Sequence, residues 1–362
     1  MEEKASRSLF GGSLIVPSVQ ELAKKPIITI PPRYIQPHHH HHQQDQLIFN
    51  SDTEIPFIDM HKLLSQDSID SESELAKLHF ACKEWGFFQL VNHGVSSSLM
   101  EKIKTEVQDF FNLPMEDKKK FWQHPGDLEG FGQIFVVSED QKLDWADLFY
   151  MTTLPVQIRR PHLFPNLPSP FRETLEDYSL ELRNLAMTIL SQMETALQME
   201  DKEVTKLFGD GMQSMRMNYY PPCPLPAEVI GLTPHSDSGG LTILLQVNEM
   251  DGLQVKKDGI WVPVKPLPDA FTVNIGDILE IQTNGVYRSI EHRATVNPVK
   301  ERLSIATFYT PGIGCEIGPA PSLVSEQTPA AYTRVGVEDY FKAFFARKLQ
   351  GKSFLDELRI KY

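Results

Sequence analysis

The chain has 362 residues, of which 41% are hydrophobic, enough for one large core or two interlocked ones. Its 48 acidic against 35 basic residues give a formal charge of −13, which repels polyphosphate and argues against nucleic acid as a partner. No uninterrupted apolar run approaches the roughly 20 residues needed to span a bilayer, and residues 1–22 carry scattered charges without a secretory-type apolar stretch, so no membrane partner is expected.

Taken in chain order, residues 1–53 read as an entry segment, partly disordered. One short helix is expected over residues 16–24, because Pro17 and Ser18 suit a helix start. The five consecutive histidines at 38–42 read as a linker, since a flexible run cannot hold a defined ligand geometry. A mostly helical region follows over residues 54–210. Residues 55–59 read as a short apolar strand. Leu75, Leu78, Cys82 and Trp85 recur at three- and four-residue steps and predict an amphipathic helix over 72–85. Residues 87–92 read as a strand, and 98–112 as a helix with Leu99, Ile103, Val107 and Phe110 on one side. Residues 170–199 read as a long helix with few breakers.

Composition shifts near residue 212. Over 211–311 the chain reads as short strands between turns, among them residues 214–220, 241–247, 270–275, 278–284 and 303–309. Asp258-Gly259 and Asn284-Gly285 are hairpin-turn dipeptides, and Gly276-Asp277 marks a further turn. Regular strands of this kind predict a barrel or double-sheet jelly roll. Residues 312–362 form a C-terminal segment that returns to helix from 337, with Tyr340, Phe341, Phe344, Phe345 and Leu349 on one face and Gly351 ending it. The cysteines, Cys82, Cys223 and Cys315, are far apart and odd in number, so neither a disulfide framework nor a thiolate zinc site is expected. A cytoplasmic, reducing compartment follows from that cysteine usage.

The chemistry is carried by two i, i+2 pairs and one histidine. In extended backbone, residues two apart point to the same side, so the imidazole of His235 and the carboxylate of Asp237 converge. His292, in a later strand region, completes a set of two histidines and one carboxylate. That set matches the facial triad of non-haem Fe(II) oxygenases and leaves coordination positions open. Catalytic zinc could use the same ligands. Arg302 and Ser304 distinguish the two, because a guanidinium fork and a hydroxyl on one strand face suit a carboxylate remote from the metal, as 2-oxoglutarate presents. Two rival readings accompany this one: a zinc-dependent hydrolase, and a non-catalytic small-molecule-binding jelly roll.

At these residues the chain resembles the plant 2-oxoglutarate- and Fe(II)-dependent dioxygenases, over about residues 55–355. The motifs are Trp85-Gly86-Phe87-Phe88-Gln89, Val91-Asn92-His93-Gly94, Met217-Asn218-Tyr219-Tyr220-Pro221-Pro222-Cys223, Pro234-His235-Ser236-Asp237, Asn274-Ile275-Gly276-Asp277 and Arg302-Leu303-Ser304. The resemblance implies an α+β fold, a double-stranded β-helix (jelly roll) flanked by helices, in a monomer. It implies Fe(2+) on His235, Asp237 and His292, with 2-oxoglutarate and O2 as co-substrates and ascorbate supporting activity. It also implies that Asn218 and Tyr220 help Arg302 and Ser304 hold 2-oxoglutarate, and that Phe308 stacks on an aromatic substrate. Tyr219 is expected in the core, His93 in a structural role, Asn274-Ile275-Gly276-Asp277 in a turn, and Arg216 facing outward. Glu129-Gly130-Phe131-Gly132-Gln133 and the stretch 138–145 resemble the subgroup of codeine and thebaine O-demethylases and are expected to line one wall of the substrate pocket. Flavonol- and anthocyanidin-forming members carry glutamate where this chain has Thr310, which points away from those activities. The implied reaction is hydroxylation or O-demethylation of a small plant metabolite, with release of succinate and CO2.

Overall fold

The computed structural model describes residues 12–25, 29–36, 54–199, 202–347 and 351–361; the histidine run at 38–42 lies outside them. The strands are β1 (Phe57–Asp59), β2 (Phe87–Val91), β3 (Gly130–Gly132), β4 (Asp147–Leu154), β5 (Met212–Tyr220), β6 (Leu232–His235), β7 (Leu241–Gln246), β8 (Leu253–Lys257), β9 (Ile260–Pro263), β10 (Phe271–Ile275), β11 (His292–Ala294) and β12 (Arg302–Thr310). They form an eight-stranded sheet in the order β1-β2-β10-β7-β12-β5-β4-β3 and a four-stranded sheet in the order β6-β11-β8-β9. This is the double-stranded β-helix core, with helices outside it. The four strands from residues 54–210 extend the larger sheet, so the region read as mostly helical also builds part of the barrel wall.

Local chemistry sets the helix boundaries. The Ser18 hydroxyl accepts from the Glu21 amide and starts the helix Val19–Ala23. Asp67 caps the helix Ser68–Phe80, which therefore begins earlier than periodicity suggests and closes with a π-helical turn, Ala81–Trp85. Gly86 follows at φ 60, where a Cβ would sit 2.0 Å from the Arg288 carbonyl oxygen; only glycine fits. The long helix Ser169–Ala196 buries Leu175, Tyr178, Leu182, Leu185 and Ile189 at helical spacing, against the helix Ser97–Asn112 and strands β4 and β7.

Two expectations in the second half fail for identifiable reasons. Residues 278–284 do not form a strand: Asp277–Gln282 is a helix whose six residues are all buried. With both sides covered, no alternation separates strand from helix in so short an apolar run. Asn284 and Gly285, at φ 51 and φ 81, end this helix and make no hairpin, whereas Asp258-Gly259 does connect β8 to β9. The C-terminal helix is also shorter than expected, Val337–Phe345, with a second short helix at Ser353–Glu357. Between them Gly351 runs alongside the end of β6, donating to the Pro234 carbonyl at 2.9 Å and accepting from the Ser236 amide at 3.3 Å.

That last segment is anchored by Glu280, buried beneath it. Its carboxylate accepts from the Ser289 amide, the Tyr332 hydroxyl, Lys352 and Arg359, all at 2.7–2.8 Å. Glu280→Ala removes the shared acceptor and leaves the buried ends of several donors unpaired. We expect a loss of about 3 kcal/mol in chemical denaturation. A loss within error of zero would show that water replaces the carboxylate without cost.

Candidate active site

The pairing of β6 with β11 sets His292 directly opposite His235, with the register shifting just beyond the pair. Asp237 lies two residues past the end of β6, in the turn before β7. Convergence therefore comes from a turn and not from one continuous strand. The Asp237 Oδ1 lies 3.5 Å from His235 Nε2 and 3.7 Å from His292 Nε2. One ligand atom from each of the three lies within 4.8 Å of the others, and all three residues are buried.

Each side chain is aimed from behind. The Nδ1 of His235 is 2.8 Å from the Thr233 carbonyl, and that of His292 is 3.1 Å from the Ile290 carbonyl. A carbonyl can only accept, so both rings carry their proton on Nδ1 and turn a bare Nε2 toward Asp237. His235 Nε2 is buried with no hydrogen-bond partner. An orphaned imidazole nitrogen beside a carboxylate fits a metal ion. The second carboxylate oxygen of Asp237 accepts from Thr242 Oγ1 at 2.6 Å and Asn274 Nδ2 at 2.8 Å. Burial alone would raise the Asp237 carboxyl, but His292, His235 and Asn274 together hold it well below the usual carboxylate range. Burial, with His235 beside it, pushes His292 down to about 4. Asp237 is thus set as a carboxylate, with the His292 imidazole held toward its neutral form.

The second constellation stands on β12, in the larger sheet. Arg302 faces Tyr220 and Ser304 faces Asn218 across the β5 pairing. Arg302 is buried and donates to Gln246 Oε1 at 2.8 Å. Its guanidinium carbon lies 5.3 Å from the centre of the Tyr220 ring, and its Nε has no partner. Among the described residues no carboxylate pairs with it. Asn218 Nδ2 donates to Ser304 Oγ at 3.3 Å. A narrow cavity of about 40 Å³ touches Asp237 and His292 at one side and Arg302, Ser304, Asn218 and Tyr220 at the other.

A larger cavity of about 480 Å³ opens over His235 and Asp237. Phe308 and Thr310 of β12 line it, as do Glu129, Ile134 and Phe135. Phe308 also lines the narrow cavity, so it stands where the two meet. Phe344 and Phe345 of the C-terminal helix close one side, packed on Phe135, which is held at φ 65. Of the stretch expected to form this wall, Glu129 takes part, Gly130–Gly132 is strand β3, and Gln141 to Asp144 line a different cavity. Tyr219 packs on Phe111 with ring centres 5.1 Å apart, as expected of a core residue. His93 reaches the Asp269 carbonyl at 3.0 Å and does not line these cavities.

Three residues were misjudged or missed. Arg216 does not face outward; it is 6% exposed and lines both cavities, with its guanidinium carbon 5.4 Å from the centre of the Phe308 ring. Asn274 is not a turn residue but lies on β10, whose pairing with β7 delivers it to Asp237 beside Thr242. Gln246, the partner of Arg302, carries no sequence signal beyond its place at the end of a strand.

With this geometry established, comparisons with known proteins identify the family. Residues 211–311 match the 2OG-Fe(II) oxygenase superfamily, and residues 55–167 match the non-haem dioxygenase N-terminal region described from morphine synthesis. Protein SRG1 of Arabidopsis thaliana is 61% identical over 96% of this chain and 97% of its own length. Codeine O-demethylase of Papaver somniferum is 55% identical over 97% of this chain and 98% of its own. The solved structure of JOX2 in complex with 2OG, Fe and JA is 35% identical, with a TM-score of 0.83 covering 96% of this chain and 98% of that one. The chain belongs to the 2-oxoglutarate- and Fe(II)-dependent dioxygenases, and it is an oxidoreductase of that class.

The Asn274 contact gives a direct test of the metal cluster. Asn274→Ala leaves Asp237 with one fixed hydrogen bond in place of two. Ferrous-ion affinity in anaerobic titration is expected to fall about 10–100-fold with the fold intact. An unchanged affinity would mean that Thr242 alone orients the carboxylate.

Proposed function

We propose that His235, Asp237 and His292 hold the ferrous ion, and that Arg302 and Ser304, supported by Asn218 and Tyr220, hold the far carboxylate of 2-oxoglutarate. We further propose that the enzyme removes the methyl group from a methoxy substituent of a small aromatic plant metabolite. The observation that carries this reading is one narrow cavity with Asp237 and His292 of the cluster at one end and, at the other, a buried guanidinium without a carboxylate partner among the described residues. A dianionic keto acid that chelates the metal and reaches Arg302 satisfies both.

When bound, iron and 2-oxoglutarate supply oxidative decarboxylation by O2, giving succinate, CO2 and an oxidant able to attack a C–H bond. The chain's residues do the rest. The Thr233 and Ile290 carbonyls keep the histidine Nε2 atoms free, and Thr242 and Asn274 fix the Asp237 carboxylate. Phe308 offers a face for an aromatic ring where the substrate cavity meets the co-substrate compartment. Phe344, Phe345 and Phe135 shield that space from water. Oxidation of a methoxy carbon yields a hemiacetal that collapses to formaldehyde and a free hydroxyl, so pose alone separates demethylation from hydroxylation.

The choice of O-demethylation is supported by relatives that are O-demethylases of codeine, of thebaine and of a flavonoid, at 53–55% identity. Thr310 lines the cavity where flavonol- and anthocyanidin-forming members carry glutamate. Among the described residues no helix is long and apolar enough to cross a membrane. The deciding experiment incubates the protein with Fe(II), ascorbate, 2-oxoglutarate and a panel of methoxylated alkaloids, phenylpropanoids, flavonoids and terpenoids. The expected readout is loss of a CH2 unit from one class, with matching formaldehyde and succinate. Gain of an oxygen atom without formaldehyde would establish hydroxylation in its place.

Three substitutions separate the roles. His235→Ala or Asp237→Ala is expected to abolish turnover and weaken iron binding; full activity in either would remove the metal assignment. Arg302→Ala is expected to raise the KM for 2-oxoglutarate by about 100-fold or more, in line with about 3 kcal/mol for losing the charged partner of a buried carboxylate. An unchanged KM would place the clamp elsewhere.

A further inference from the structure

A third cavity, about 590 Å³, has no part in the reaction described above. Its walls include Ala146, Leu148 at the start of β4, Lys142, and Gly231 and Thr233 around the start of β6. None of the three metal-cluster residues lines it. It shares Arg216, Asn218, Tyr220 and Leu232 with the narrow compartment, entering from the side that holds the far carboxylate. The substrate cavity meets that compartment through Asp237 and Phe308, with Arg216 common to all three cavities, and it adjoins the third cavity at Ile134 and Phe135. The compartment therefore has two mouths, and an organic molecule seated over the metal covers only one.

The second mouth sets two cations, Arg216 and Lys142, against one carboxylate, Asp144, whose Oδ1 already accepts from the Thr233 hydroxyl at 2.6 Å and the Thr233 amide at 3.1 Å, a balance that suits a dicarboxylate. Arg216 is buried on its inner wall with Nε unpartnered, and Lys142 stands exposed on its outer wall. In a chain of net charge −13, local cations are needed to draw in a dianion. Between the mouth and the compartment stands the Tyr220 ring. A Cβ on Gly231 would lie 2.8 Å from Tyr220 Cδ1, so it is the absence of a side chain there that leaves the ring its space. We infer that this third cavity is a side port, by which 2-oxoglutarate enters and succinate leaves past Tyr220 while the organic ligand keeps the first cavity. The inference rests on the placement of 2-oxoglutarate between the metal cluster and Arg302.

The test is anaerobic stopped-flow mixing of the Fe(II)-loaded enzyme with 2-oxoglutarate, followed by the visible absorbance of the chelate. Ala146→Phe fills the third cavity. It is expected to slow association and dissociation together, by about tenfold or more, with the Kd unchanged, as obstruction of a path requires. Lys142→Glu, at an exposed position whose ammonium donates to the Pro32 carbonyl at 2.7 Å, is expected to slow association about tenfold at low salt and to match wild type at high salt. Ile313→Phe, which crowds the first cavity, is expected to leave both rates as in wild type. Normal rates in both Ala146→Phe and Lys142→Glu would overturn the port, as would a weakened Kd with unchanged association. If Ala146→Phe does not fold, the Lys142→Glu rates decide. A wild-type protein that loads iron yet gives no chelate absorbance would sink the placement of 2-oxoglutarate itself, a failure distinct from normal rates in the variants.

Discussion

The site depends on one strand register, the antiparallel pairing that puts His292 opposite His235. Side chains in a strand alternate faces, so a slip of one residue would turn His292 out of the cluster altogether. The same constraint governs the other end of the compartment, where β12 against β5 sets Arg302 on Tyr220 and Ser304 on Asn218. Two registers in two sheets thus fix the His235–His292 pair and the Arg302–Ser304 pair independently. The narrow cavity between them is as rigid as the ladders on either side. Rigid strands are the right support for a chelate, because a small misplacement of either end would cost the bidentate fit.

Asp237 is the exception, since no ladder holds it. It sits in a turn, and the structure compensates with close contacts. Thr242 and Asn274 grip one carboxylate oxygen, while the backbone oxygen of Asp237 accepts from the Asp277 amide at 2.7 Å. Gly276 makes this possible, because a Cβ there would lie 2.2 Å from the Gly239 carbonyl oxygen. Turn geometry and close backbone packing replace the strand as the positioning device. The buried Asp277 that follows, pushed up to about 7 by desolvation, lies against Ser236 and extends the same polar layer beneath the turn.

What was legible in the sequence follows from these mechanics. The Arg-x-Ser spacing carries a strand's two-residue period, and the flanking helices carry their own, so the β12 pair and the fold class could be read directly, whereas His235 and Asp237 come together through the turn after β6 and not through strand alternation. Asn274 could not, because its role arises only when β10 lies beside β7, and a segment of Asn, Gly and Asp otherwise signals a turn. Arg216 was placed outward because a charge on a strand usually faces solvent, although it stands two residues before Asn218 and so shares its face. Strand β5, however, lies inside the sheet between β12 and β4, and the face carrying Arg216 forms cavity wall, not solvent-exposed surface. The helix Asp277–Gln282 lost its periodic signature because every residue in it is buried.

The substrate cavity obeys a different logic. Its metal-side floor comes from the barrel, but its walls come from the β3–β4 connection, the segment after β4 and the C-terminal helix. These walls are held by local contacts that the metal site does not need. Glu129 is fixed by the Thr152 amide at 2.8 Å, Arg160 lies between Asp127 and Glu129, and Phe135 stacks on Phe345. Changing any of them would reshape the pocket without disturbing either register on which iron and 2-oxoglutarate depend. Reaction class is therefore written into the strands and substrate choice into the walls. The same barrel can serve demethylases of unrelated aromatic skeletons because the oxidant needs only a methoxy carbon brought within reach, and the walls alone decide which one arrives.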